Sequence, residues 1–152
     1  MSDWATTRRL TVEVLLAEGE QLHGELHLQA RVAYRDGAET LLEMLNREEP
    51  FLALSGVDGI IFVSKDQVAV VSCPPEIELD DPDRAHAATR FHFEVVLRGA
   101  ARYQGWAVHE LPPTHTRTLD YLNTSGRFFA VSTDAETRYV NRSHVCLVRP
   151  FD

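Results

Sequence analysis

Cysteine is almost absent from this sequence: 152 residues contain two, Cys73 and Cys146. Two thiols this far apart build neither a disulfide framework nor a cysteine-based zinc site, so a reducing compartment and a core-filling role are expected. Long apolar runs are missing as well. No window approaches the roughly 18 uninterrupted apolar residues of a membrane span, and the start MSDWATTRRL has no apolar core of a signal peptide. The expectation is a cytoplasmic protein that does not enter a membrane. Phosphate loops, dinucleotide fingerprints and nucleophile elbows do not occur either. The chain is therefore read as non-enzymatic, with no catalytic residue and no cofactor.

Positive charge is the other shortage. The chain has 15 basic against 23 acidic side chains, a formal net charge of −8, and every basic residue except Lys65 is arginine. Residues 1–73 carry a net −6, residues 74–89 a net −4 and residues 90–152 a net +2. Nucleic-acid binders draw most of their affinity from neutralising phosphates, so only the last segment has the composition for that role. Metal sites are equally thin. His23 and His27 on a strand lie on one face about 13 Å apart, too far to share an ion without further ligands. The acidic run from Glu76 to Asp83 has no EF-hand spacing or central glycine, so no metal is expected there.

What the sequence does contain is an internal repeat. LLEMLNREEPFLAL, at Leu41 to Leu54, returns as TLDYLNTSGRFFAV at Thr118 to Val131. Residues 39–74 align without a gap to residues 116–151 at an offset of 77, with nine identities in 36 positions, among them Leu45 with Leu122, Asn46 with Asn123 and Phe51 with Phe128. Further upstream the offset is 81, pairing Glu13 with Glu94, Val14 with Val95, Leu16 with Leu97 and Gly24 with Gly105. The change of offset places four extra residues in the first copy around Ala30 to Gly37, in a connection, where length changes are tolerated.

Each copy reads mostly as strands. Alternation and β-branched runs predict them at Leu10–Leu16, Gln21–Gln29, Phe51–Leu54, Ile60–Val63 and Gln67–Ser72. The second copy predicts Phe93–Leu97, Arg102–His109, Phe128–Val131, Thr137–Val140 and Ser143–Val148. Thr40–Asn46 departs from strand logic, since Leu41, Leu42, Met44 and Leu45 suit one or two helical turns over an apolar end, with Asn46 as a left-handed terminator. Asn123 takes the same part in the second copy; the alternative for both asparagines is contact with a ligand. The fold class is thus mainly β: two duplicated five-stranded small barrels, residues 1–73 and 91–152, each with a short helical insertion before its third strand. Residues 74–90, proline-rich and acidic, form a solvated linker.

The succession VLLAEGEQLHGEL, a short strand, then IIFVSKDQVAVVSCP resembles the Sm-like small barrel of Sm, LSm and Hfq proteins, and both copies show it. The leucine-asparagine pattern before the third strand is closest to uncharacterised bacterial small-barrel proteins. That resemblance implies RNA-contacting residues in the turn before the last strand, where Lys65 and Arg142 keep a basic character. The expected function is an assembly or protein-binding module that pairs through strand edges with a protein partner or with itself. The alternative is RNA or single-stranded nucleic-acid binding by the second copy, through arginines such as Arg102 with Tyr103, Trp106 and Tyr139 as stacking groups.

Overall fold

The computed structural model describes residues 7–29, 38–75, 89–109 and 117–151. The expected four-residue insertion and most of the acidic linker lie outside the described residues. β1 (Thr7–Leu16) and β2 (Gln21–Gln29) form a hairpin, followed by helix α1 (Leu41–Asn46) and by β3 (Phe51–Gly56), β4 (Gly59–Ser64) and β5 (Val68–Cys73). The chain then gives β6 (Thr89–Leu97), β7 (Arg102–His109), α2 (Thr118–Thr124), β8 (Phe128–Ser132), β9 (Thr137–Asn141) and β10 (Val145–Pro150). One-turn 3₁₀ segments, Lys65–Gln67 and Arg142–His144, occupy the polar breaks before β5 and β10. Among the described residues no helix is long and apolar enough to cross a membrane.

All ten strands belong to one antiparallel sheet in the order β10-β6-β7-β8-β9-β5-β1-β2-β3-β4. This corrects the expectation of two closed barrels: the sheet is open, with β10 and β4 at its ends. Closure is replaced by continuation, because β5 pairs with β9 as well as with β1. Within each half the strand order is the same, and so is the register. Val12 lies opposite Gly24 as Phe93 lies opposite Gly105. Leu52 faces Val63 as Phe129 faces Val140. The bulged pairs Leu16–Val68 and Leu97–Val145 also correspond.

Close approach of neighbouring strands relies on glycine at one matched place. β2 meets β3 through a single pair, Glu25–Ser55, and β7 meets β8 through Trp106–Ser132. A Cβ on Gly24 would lie 2.6 Å from the Ser55 carbonyl oxygen, and one on Gly105 would collide with that of Ser132. Only glycine allows these strands to cross so closely.

Two apolar cores lie beneath the sheet, and each borrows from the other half. Val12, Leu26, Leu41, Leu45 and Leu54 pack with Phe128 and Tyr139. Phe91, Phe93, Tyr121, Phe129 and Val131 pack with Ala69 and Val70. In the second core Tyr121 stacks on Phe91 at 5.4 Å and meets Phe129 edge-on at 6.4 Å. Such ring pairs contribute about 0.5–1.5 kcal/mol beyond the area they bury. The helices act as lids: α1 starts with a capping box, Thr40 Oγ1 accepting from Glu43 N–H while Glu43 Oε1 accepts from Thr40 N–H.

Candidate functional site

Lys65 is not a surface contact. It is 1% exposed, and its Nζ donates to the carbonyls of Met44 at 2.9 Å and Arg47 at 3.2 Å. Those carbonyls stand at the C-terminal end of α1, where a cation is favoured by the helix dipole, and that of Met44 also accepts from Arg47 N–H. Burial is the main reason its ammonium titrates below the usual lysine range. Arg142, at the matched position, repeats the arrangement from the surface: its guanidinium donates to the Ser125 carbonyl just beyond α2. Both basic side chains thus close a helix end.

The asparagines do not end their helices by left-handed dihedrals. Asn46 is the last residue of α1, the cap Arg47 is extended, and Asn123 lies inside α2. Asn46 reaches across the molecule instead. Its Nδ2 donates to the Phe128 carbonyl at 3.2 Å and its Oδ1 accepts from Phe128 N–H at 2.7 Å. A side-chain amide here satisfies one backbone unit of β8 as a neighbouring strand would. Gly126 lies against the same amide, where a Cβ would come within 2.7 Å. Asn123 is exposed.

Among the described arginines, Arg102, Arg138 and Arg149 have carboxylate partners, while Arg98 is exposed. Arg102 and Arg149 share one carboxylate, Glu94, at 3.5 and 3.0 Å, and Gln104 donates to its other oxygen. The Gln104 hydrogen bond, with help from both guanidinium groups, holds Glu94 below the usual carboxylate range. Arg138 pairs with Glu136 and lies 4.6 Å over the Tyr103 ring, so that face of Tyr103 is taken. Tyr139 is buried in the first core. Trp106 is half-buried, its ring tilted against His92 at 6.2 Å. Arg102, Tyr103 and Trp106 follow one another on β7, whereas Tyr139 packs elsewhere. Among the described residues no three histidine, cysteine or acidic side chains are grouped to hold a metal.

Two buried polar residues escaped the sequence reading. Asn141, buried at the end of β9, donates to the carbonyls of Lys65 and Val68 and accepts from Ser143 N–H. Glu39, also buried, accepts from Gln29 N–H and pairs with Arg47 at 3.2 Å. Neither stands in a motif. Their role depends on strands that meet only in three dimensions. His144, like Asn141, joins the halves, 2.7 Å from the Asp66 carbonyl.

The chemistry of the ends of the sheet differs from that of the seam. On β4, Ile60, Ile61 and Phe62 are 64, 46 and 75% exposed, and Val57 in the preceding turn is fully exposed. β10, at the other end, presents Leu147 and is followed by the exposed Phe151. Among the described residues neither strand has a second neighbour. A recess of about 300 Å³ lies along β1, β5 and the turn before β9, lined by Thr11, Glu13, Cys73 and Glu136. Compared with known proteins, the chain matches no family model, and no curated protein and no solved structure matches it.

Proposed function

We propose that this chain is a non-enzymatic assembly or protein-binding module made of two Sm-like repeats, each a bent five-stranded unit with a helical lid. The observation that carries this reading is β4, an edge strand with the sequence GIIFVS whose isoleucines and phenylalanine face solvent. Edge strands of soluble proteins are normally short, charged or covered, because unpaired backbone groups recruit other strands. An apolar, uncharged edge is therefore a surface built for strand addition. The matched strand orders and registers of the two halves support the repeat, although the sheet runs on from one to the other instead of closing.

Nucleic-acid binding is the alternative, and it gains nothing from the ion pairs at Glu94 and Glu136 or from the helix-capping roles of Lys65 and Arg142. The test is a pull-down with full-length protein, together with light scattering over a range of concentrations. A captured protein or a concentration-dependent mass is expected. A monomer at every concentration that captures nothing overturns the reading, and salt-dependent binding of a mixed oligonucleotide at micromolar protein would replace it.

A further inference from the structure

The two free edges of the sheet are not alike. At β4, Lys65 N–H donates to the Pro50 carbonyl at 2.8 Å, continuing the register that pairs Leu52 with Val63. Backbone groups alternate between the two sides of a strand, so Val63, Ile61 and Gly59 turn theirs to β3. Ile60, Phe62 and Ser64 turn theirs outward, and among the described residues β4 has no second neighbour. At β10, Phe151 N–H donates to the His92 carbonyl at 3.0 Å, continuing the register that pairs Pro150 with Phe93. Here Arg149 turns toward β6, and Val148 and Pro150 turn outward. Proline has no N–H to offer, and a register shift between Val145 and Leu147 breaks the line of the strand. Both features keep an edge strand from pairing. β10 is guarded and β4 is open.

β4 is also its own complement. Laid antiparallel on a second copy with Phe62 opposite Phe62, it sets Ile60 opposite Ser64, so every outward-facing residue meets another and each such pair can exchange two backbone hydrogen bonds. Ile61, 46% exposed, then falls opposite Val63 of the other copy, on the face shared with Leu52 and Leu54, and the first core continues across the contact. Phe62, 75% exposed, is covered on the opposite face. Two copies of a chain with net charge −8 repel, yet GIIFVS contains no charged residue. Asp58 of one copy comes toward Asp66 of the other just beyond the paired residues, so added salt should tighten the contact.

We propose that two copies of this chain join along β4 about a two-fold axis at Phe62, making one continuous sheet. The contact is isologous and stops at two copies, because the edges left over are both β10. It rests on the assembly reading above and names the partner as a second copy.

Phe62→Lys and Phe62→Glu, at an exposed position of the full chain, test it. Light scattering should find a dimer for the wild type and nothing larger. Each variant alone should raise the dimer dissociation constant by more than about a hundredfold, since two phenylalanines lose their cover and like charges face each other. Mixed one to one, the two variants should pair more tightly than either alone, because opposite charges then meet at the axis. Leu147→Lys on β10 should leave the dimer unchanged. A position-62 variant that dimerises as wild type, a mixture no tighter than its components, a folded Leu147→Lys that loses the dimer, weakening by salt, or a wild type that grows beyond two copies overturns the proposal. Circular dichroism checks each fold. If a position-62 charge variant loses the wild-type spectrum, Ile60→Lys is read for dissociation, and Phe62→Cys with Cys146→Ser is treated with a short bismaleimide; a cross-linked dimer supports the two-fold contact and its absence overturns it. A monomeric wild type overturns the dimer, whereas the broader module reading fails only if the pull-down is empty too.

Discussion

At the scale of single residues, the two halves differ where one has glycine and the other does not. Gly19 turns β1 into β2 with φ +99°, and the position 81 residues later is Ala100, held at φ +72° in the turn between β6 and β7. A left-handed alanine is strained by about 1–2 kcal/mol, partly offset by the greater unfolded-state entropy of glycine. Ala100→Gly should therefore stabilise the protein by about 0.5–1 kcal/mol, seen as a higher urea midpoint at unchanged slope. Tyr121 gives a pH-dependent counterpart. Burial pushes its phenol up to about 12 from an ordinary value of 10. The folded state thus keeps its proton longer than the unfolded chain does. Its contribution is complete well below pH 10, and about 2 kcal/mol is lost as pH rises from 10 to 12. Denaturation curves at pH 9 and pH 12 should show that loss, and Tyr121→Phe should show less of it.

At the scale of elements, α1 is six residues long, too short to persist without its packing and caps. Leu41, Met44 and Leu45 fix it to the first core, Lys65 closes its end and Asn46 ties it to β8. Asn46→Ala should cost about 1–3 kcal/mol, because a buried backbone unit at Phe128 loses both partners. Hydrogen exchange would locate the effect, with faster exchange at Phe128 N–H and little change at the β1–β2 hairpin. The matched variant Asn123→Ala removes an exposed side chain and should leave monomer stability nearly unchanged. The same residue in the same motif thus has opposite expected consequences, decided only by which end of the sheet it occupies.

At the scale of the whole molecule, the cores interlock, since Phe128 and Tyr139 fill the first and Ala69 and Val70 the second. Neither half can unfold without opening the other's core. Far-ultraviolet circular dichroism and near-ultraviolet signals should therefore follow one coincident urea transition, and two separated transitions would show that the halves are independent. A charge in the seam tests the same coupling: Val70→Asp should weaken both halves together, by well over 2 kcal/mol, since an unpaired carboxylate would be buried there.

Much of the sheet was legible in the chain because its information is local. Alternation set each strand's faces, the glycine-bearing turns set the hairpins, and the offsets of 77 and 81 anticipated registers that recur pair by pair. The site was less legible. Lys65 looked like a contact residue and is buried, and Asn46 looked like a helix end and is bonded 82 positions away. A basic or amide side chain carries no sign of its partner, because that partner is a backbone group brought near by packing. The sequence by itself determined two runs of five strands with a lid in each, since hydrophobic period and turn chemistry act over a few residues. Only the tertiary structure decided that β5 would join β9, so that one pair of edges is sealed and the matching pair faces water, because strand pairing between distant segments depends on which surfaces remain exposed once each half has folded.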